Sequence, residues 1–211
     1  MKNSVIIFGT SGIAKAALEI FYSNDIMVYG FLDDNKSTHG TEIDNVAVLG
    51  STNSADYVDL IGEKCSAFIA TDDLKLRKGL AQFLKEERKA MPMNAFHQSA
   101  IIPQSFAVGH GNFINAGATL GASGKMGHHN LIHSGAIIEH SAIIGNHVQI
   151  GAGSIVNPEV EIEDEVFIGS GVTLVAGIKV GKGAKIGAGS VVVENVAAGK
   201  TVFGNPAIEI K

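Results

Sequence analysis

The sequence contains very little sulfur and no long apolar segment. Cys65 is its only cysteine, so an internal disulfide is impossible and a reducing compartment is favoured. Because Cys65 stands beside the apolar run at residues 67–70, we expect a buried structural thiol rather than a nucleophile. The longest apolar runs, such as residues 5–8, fall far short of the roughly 20 residues that cross a bilayer, and no basic and apolar leader begins the chain. We therefore expect a cytoplasmic protein that is not inserted into a membrane.

An excess of positive charge is missing as well. The formal net charge is −5, which argues against a nucleic-acid partner and is compatible with a small-molecule substrate. Apolar residues make up 45% of the chain and charged residues 18%, an ordinary globular composition for one large or two small domains.

Glycine divides the chain into two unlike halves. Seven of the 26 glycines precede residue 97 and nineteen follow it. We therefore expect two domains, at residues 1–96 and 97–211.

The second half contains a six-residue repeat. Sixteen successive positions, six residues apart, are aliphatic or methionine, and small or β-branched residues such as Ala118 and Val148 recur four positions later. This period predicts a left-handed parallel β-helix in which three hexads form one rung, so that residues 18 apart stack. Because the flat sides of such a coil commonly associate around a threefold axis, we expect a homotrimer. The repeated positions are Ile102, Val108, Ile114, Leu120, Met126, Ile132, Ile138, Ile144, Ile150, Val156, Ile162, Ile168, Leu174, Val180, Ile186 and Val192.

The first half has the plan of a Rossmann-like α/β domain. A short apolar run at residues 5–8 precedes a glycine turn at 9–12, and residues 13–21 have helical spacing. A second predicted strand, at residues 28–32, ends in Asp33 and Asp34, a third covers 67–70, and a helix covers 73–87. This order is typical of nucleotide-binding domains, although the third glycine of the dinucleotide fingerprint is missing. From the residues alone, the two aspartates fit a solvated turn as well as a ligand site.

Both halves together resemble the sugar O-/N-acyltransferases of the hexapeptide-repeat proteins, the bacillosamine-pathway acetyltransferase and sialic acid O-acetyltransferase type. The resemblance depends on the Gly-x-x-Gly domain with "FLDD", the entry His97-Gln98-Ser99-Ala100, the coil with "IEH" at residues 138–140, and "GNPA" at 204–207. It implies transfer of an acetyl group from acetyl-CoA to the amine of a nucleotide-linked amino sugar in glycan or polysaccharide biosynthesis. It also implies active sites between the subunits of the trimer, with no metal.

The resemblance makes His140 the catalytic base. An imidazole can remove a proton near neutral pH, which direct attack on a thioester requires, and no covalent enzyme adduct is needed. Glu139 matches the usual "EH", but neighbouring residues on a strand face opposite ways, so it would orient His140 only if the backbone turns there. The acid that usually follows the histidine is Ser141 here.

The resemblance also assigns binding residues. Its second coil histidine is Gln149 here, and a glycine one rung after the base is Pro158, which has no N–H. The usual Ser-Gly-His ends in Ile13, and a glycine near the nucleotide is Asp72. The substrate side would comprise Ser11, Gly12, Ile13, Asp33, Asp34 and Asp72, and the cofactor side Gln149, Ser170 and Ala188.

Three alternatives remain open. Within the same chemistry, the acceptor would be a hydroxyl of sialic acid or a related sugar. A zinc hydro-lyase similar to the γ-class carbonic anhydrases would use the coil histidines, although Pro92 stands near the expected third ligand. A catalytically silent trimeric scaffold is suggested by Ser141, Gln149 and Pro158 together. The histidines in question are His110, His128, His129, His133 and His147.

Overall fold

The structure is a computed structural model that describes residues 4–210. The chain divides into two compact units, the first ending at Gln98 and the second beginning at Ser99. Among the described residues, no helix is long and apolar enough to cross a membrane.

The first unit is a parallel sheet with helices in its connections. Its strand order is β3-β4-β2-β1-β5, and only the β3–β4 pair is antiparallel. The elements are β1 (Ser4–Phe8), α1 (Gly12–Ser23), β2 (Met27–Leu32), a 3₁₀ turn (Lys36–Thr38), β3 (Glu42–Ile43), β4 (Val46–Gly50), α2 (Ala55–Val58), β5 (Cys65–Ile69), α3 (Leu74–Glu87) and β6 (Ala95–Phe96).

The centre of this sheet explains the apolar runs in the sequence. All five residues of β1 are buried, as expected for a parallel strand covered on both faces. Cys65, in the neighbouring strand β5, is buried as predicted, and its Sγ lies 3.1 Å from the Ser4 hydroxyl. The predicted strands and both predicted helices of this half are confirmed, and the structure adds β3, β4 and α2 at positions where the sequence analysis assigned nothing.

The strand order creates a crevice at the carboxyl edge of the sheet. From β1 the chain passes to β2 on one side, and it later returns to β5 on the other side. In open α/β sheets, ligands bind outside the carboxyl ends of the strands at such a switch point. The turn after β1 and the loop after β5 are therefore the candidate walls of a binding site.

The second unit is the predicted hexapeptide coil. Each strand pairs in parallel with the strand 18 residues later, as Gln149 does with Phe167. The coil has three faces, built from every third strand. The first face comprises β7 (Ala107–Val108), β10 (Lys125–Met126), β13 (Ile143–Ile144), β16 (Glu161–Ile162) and β19 (Lys179–Val180). The second comprises β8 (Phe113–Ile114), β11 (Leu131–Ile132), β14 (Gln149–Ile150), β17 (Phe167–Ile168) and β20 (Lys185–Ile186). The third comprises β9 (Thr119–Leu120), β12 (Ile137–Ile138), β15 (Ile155–Val156), β18 (Thr173–Leu174) and β21 (Val191–Val192).

The repeated aliphatic residues fill the bore. From Ile114 to Val192 every repeated position is buried, whereas Ile102 and Val108, at the start of the coil, are half-buried. The second face continues into a hairpin formed by β22 (Thr201–Gly204) and β23 (Ala207–Glu209), and β22 pairs with β20. The predicted fold class, a Rossmann-like α/β domain followed by a left-handed parallel β-helix, is confirmed.

Three polar side chains inside the coil share one geometry. The Asn130 amide donates to the Gly145 carbonyl at 3.0 Å and accepts the Val148 N–H at 2.7 Å. Asn112 and Ser154 each bridge an equivalent carbonyl and N–H in the rung below. All three are fully buried, so each one satisfies backbone groups that would otherwise lie in an apolar interior.

Candidate active site

The predicted substrate residues of the first unit lie along the carboxyl edge of its sheet. Ser11 is the N-cap of α1, but its hydroxyl does not cap the helix; it donates to the Ala70 carbonyl at 3.0 Å. This bond ties the turn after β1 to the end of β5 across the switch point. Because the first N–H groups of a helix have no intrahelical acceptor, Gly12 and Ile13 present theirs at this edge. The Ile13 side chain is buried, at 8% exposed, so its backbone is the part that can meet a ligand.

Both aspartates after β2 are held by threonines. Thr10 donates to Asp33 Oδ2 at 2.6 Å, and the Asn35 N–H donates to Oδ1 of the same carboxylate at 2.9 Å. Thr52 donates its N–H and its hydroxyl to Asp34. From the sequence alone, these two aspartates fitted a solvated turn or a ligand site. In the structure both carboxylates accept hydrogen bonds at the carboxyl edge of the sheet. The two threonines were missed, because a hydroxyl 18 or 23 residues away from its acceptor gives no local signal.

The third wall of this edge is the loop between β5 and α3. Asp72 is exposed there, and Asp73 caps α3 by accepting the Leu76 N–H at 2.8 Å. Gly9 approaches the loop so closely that an added Cβ would lie 2.7 Å from the Ala70 carbonyl oxygen. The six substrate residues predicted from the sequence therefore line one edge of one unit.

His140 lies at a corner of the coil, directly after the third face. It is exposed, and the backbone turns there, with Ser141 in the left-handed region at φ 61°. Ser141 Oγ lies 3.4 Å from His140 Nδ1. Within residues 4–210 no carboxylate hydrogen-bonds to the His140 ring, and the Glu139 N–H donates to the Val156 carbonyl at 2.8 Å.

The rungs above and below fix the backbone of His140. The Ser141 N–H donates to the Ala122 carbonyl above, and the His140 carbonyl accepts the Glu159 N–H below at 3.2 Å. Gly121, in the rung above, packs so closely against this turn that an added Cβ would collide with the His140 backbone nitrogen. Because the neighbouring rungs hold the backbone of His140 in this way, its imidazole is attached to a rigid part of the coil.

Two of the three predicted cofactor residues lie on a different corner. Ser170 and Ala188 stack there, since the Gly189 N–H donates to the Ser170 carbonyl at 2.9 Å. Gln149 lies on the second face, and its amide nitrogen is 3.2 Å from His133 Nε2. The Ser170 corner precedes the third face and the His140 corner follows it, so the two corners of one chain are separated by the width of that face.

Four other histidines of the coil, His110, His128, His129 and His147, line the corner between the first and second faces. The rings of His110 and His128 are 4.0 Å apart, and those of His129 and His147 are 5.0 Å apart and stacked. The His110 N–H donates to His128 Nδ1 at 3.0 Å, so this ring nitrogen serves the backbone. In the part of the chain that the structure describes, no group of three or more His, Cys, Asp or Glu side chains has a geometry that could hold a metal ion.

Comparison with known families matches each half of the chain separately. Residues 4–84 match the PglD N-terminal domain, and residues 159–194 match the bacterial transferase hexapeptide (six repeats). No protein of curated function matches the sequence.

Solved structures match the whole chain. PerB from Caulobacter crescentus, in complex with CoA and GDP-perosamine, is 25% identical over 100% of this chain and 99% of its own, with a TM-score of 0.90. A mutant of perosamine N-acetyltransferase from the same organism, also in complex with CoA and GDP-perosamine, is 24% identical over 100% and 98% of the two chains, with a TM-score of 0.90. The acetyltransferase domain of PglB from Neisseria gonorrhoeae, in complex with acetyl coenzyme A, is 21% identical over 100% of both chains, with a TM-score of 0.89.

Proposed function

We propose that this chain, an acetyltransferase of the hexapeptide-repeat sugar acyltransferase family, transfers the acetyl group of acetyl-CoA to the amine of a nucleotide-linked amino sugar. One observation carries the proposal: PerB, which matches the chain from end to end, is bound to CoA and to GDP-perosamine, an amino sugar on a nucleoside diphosphate. The PglD N-terminal domain match supports the same conclusion, because it covers the edge where the predicted substrate residues lie.

In the proposed reaction His140 is the general base. The sugar amine attacks the thioester carbonyl carbon and forms a C–N bond, while His140 takes the proton that the nitrogen loses. The tetrahedral intermediate then breaks its C–S bond, and the CoA sulfur leaves as a thiolate that accepts the proton from the imidazolium. A positioned base of this kind contributes on the order of 10²–10⁴ in rate. The exposed ring on a rigid corner supports this role, since it can reach a substrate without moving the backbone.

The acetyl-CoA site in this proposal runs along the Ser170–Ala188 corner. Stacked small side chains leave room for an extended pantetheine arm that follows the coil axis. Because this corner and the His140 corner lie on opposite sides of the third face, the base of one subunit would meet the cofactor held by the next. This separation supports a homotrimer with active sites between subunits.

A cytoplasmic location and a place in glycan or polysaccharide biosynthesis belong to the same proposal. Acetyl-CoA and nucleotide sugars are cytoplasmic metabolites, and Cys65 is a buried thiol rather than half of a disulfide.

The test is thiol release from acetyl-CoA with UDP-, GDP- and dTDP-linked 4-amino sugars, and with free and CMP-linked sialic acid. We expect release with one amino sugar and a loss of about 10²-fold or more in His140→Ala, with trimer and CoA binding intact. Release only with a sialic acid would move the acceptor from nitrogen to oxygen. Full activity in His140→Ala would remove this residue from the mechanism, and an enzyme that binds CoA but acetylates none of the panel would contradict the acceptor class.

A further inference from the structure

A buried guanidinium lies behind the loop between β5 and α3. Arg77 is in the first turns of α3 and is only 2% exposed. Its Nη1 donates to the Thr71 carbonyl at 2.9 Å, and the Thr71 hydroxyl accepts the Asp73 N–H at 3.2 Å. Arg77 is thus part of the framework that shapes this loop, and no sequence motif had singled it out.

The loop that Arg77 holds lies at the predicted substrate edge of the sheet. The loop forms one wall of the switch-point crevice, and the turn at residues 9–12 forms the other. The bond from the Ser11 hydroxyl to the Ala70 carbonyl joins the two walls, and the carbonyl that the guanidinium holds belongs to Thr71, the residue directly after Ala70. The first turn of α1 presents N–H groups on the opposite side, and a helix N-terminus favours negative charge.

The charge on Arg77 persists at neutral pH. Burial lowers the pKa of the guanidinium to about 10, while Asp72 and Asp73 act in the opposite direction. A pKa of about 10 still leaves the group protonated under physiological conditions. Because it is buried, its field is screened less than that of a surface lysine, so an anion in the crevice would feel it.

We propose that Arg77 is a positioning residue for the nucleoside diphosphate part of the substrate. It holds the Thr71–Asp73 loop as a wall of the crevice and places a fixed positive charge behind the site of the two phosphates. The carboxylates of Asp33 and Asp34, being negative, are left to the hydroxyl and N–H groups of the nucleoside. This inference rests on the proposed nucleotide-sugar substrate, but it concerns binding and not the acetyl transfer.

The test compares binding of UDP, GDP, dTDP and CDP with binding of the corresponding nucleosides. Calorimetry on the full-length protein measures the diphosphates, and competition against the tightest diphosphate measures the nucleosides. The variants are Arg77→Met, which removes the charge, Arg77→Lys, which keeps it, and Lys75→Met, which removes an equal charge from the exposed side of the same helix. Circular dichroism and thermal melting establish that each variant is folded.

We expect Arg77→Met to lose only the part of the binding affinity that the two phosphates contribute. Arg77→Met should weaken the diphosphate about tenfold or more, on the scale of one lost charge-assisted interaction, and leave the nucleoside unchanged. Arg77→Lys should restore part of the loss, and Lys75→Met should remain within about twofold of wild type, as expected for a screened surface charge. In turnover assays the KM for the nucleotide sugar should rise while kcat and the KM for acetyl-CoA stay constant.

Three results would overturn the inference. They are equal loss of nucleoside and diphosphate in Arg77→Met, a diphosphate affinity in Arg77→Met no different from that of Lys75→Met, and a wild-type protein that binds none of the four diphosphates. If Arg77→Met does not fold, salt titrations of the wild type replace it, and a diphosphate affinity that falls with added salt no more than that of the nucleoside would refute the inference. A wild type that binds a diphosphate in an Arg77-dependent way but transfers no acetyl group would contradict the proposed function and leave this inference standing.

Discussion

Replacing Asn130 by alanine should cost less stability than its buried hydrogen bonds suggest. The amide bridges the Gly145 carbonyl and the Val148 N–H in the rung below. At other corners of the coil the two equivalent groups bond directly to each other, as the Ala136 N–H does to the His133 carbonyl at 3.2 Å. Alanine is therefore already compatible with this position, and the gap left by Asn130 can close.

The magnitude depends on that closure. If the Gly145 and Val148 groups stayed unpaired, two buried polar groups at ~1–3 kcal/mol each would cost about 2–6 kcal/mol. If they bond to each other, one net hydrogen bond of ~0.5–1.5 kcal/mol is lost, and the smaller side chain adds a cavity term below about 1 kcal/mol. We therefore expect Asn130→Ala to lower the free energy of unfolding by about 1–2 kcal/mol.

Asn130→Asp supplies the discriminating comparison. Aspartate has the same shape and still accepts the Val148 N–H, but its carboxylate cannot donate to the Gly145 carbonyl and it blocks closure. It should therefore cost more than alanine, because it also buries a charge. Urea unfolding followed by circular dichroism measures both variants, with Asn112→Ala as a repeat of the same geometry one rung earlier. A loss above about 4 kcal/mol in Asn130→Ala, or a smaller loss in the aspartate variant, would refute the closure argument.

Three further predictions concern the outer surface of the coil. Gly121→Ala should lower acetyl transfer by about 10- to 100-fold in steady-state kinetics, because its Cβ would displace the His140 backbone and small misplacements are costly; an unchanged rate would show that the corner yields. Ser141→Asp should move the acidic limb of the pH–rate profile to higher pH, because a carboxylate beside Nδ1 stabilises the protonated imidazole; a superimposable profile would contradict this contact. The hydrogen bond from Lys179 holds the pKa of Glu163 below its ordinary value of 4.5, so its contribution to stability is present above pH 4.5 and disappears as the pH falls through the lowered pKa. Glu163→Gln should lower the melting temperature slightly at pH 7, where the contribution is present, and should match the wild type below the lowered pKa; a difference that is the same at both pH values would refute this role.

The coil was predictable because its signal is local and repeated. Each hexad places one aliphatic residue in the bore, and the same steric rule acts from Ile114 to Val192. Ile102 and Val108 have the right residue types but lie where the coil begins, so they are less buried than the pattern alone predicts. The repeat therefore specifies each rung, but residues in its first rung are less completely covered because no earlier rung packs on them.

The first unit was predicted less completely. Residues 46–50 form the parallel strand β4, but a strand of this length depends on its partner, and pairing with β2 is a long-range contact that no local pattern reveals. The aspartates after β2 are a similar case. Their neighbours in sequence fit a turn or a ligand site equally well, and only the fold brings Thr10 and Thr52 to their carboxylates.

The sequence by itself determined the two-part fold and the bore of the coil, because these follow from residue type and spacing, which are local properties of the chain. The candidate positions of His140, Ser170 and Ala188 came from the resemblance to the sugar acyltransferases. The tertiary structure decided which groups meet: it placed the predicted substrate residues on one edge, set Arg77 behind that edge, and put His140 on a corner separated by the third face from the corner of Ser170 and Ala188. These relations depend on contacts between residues that are distant in sequence, and such contacts form only when the chain packs.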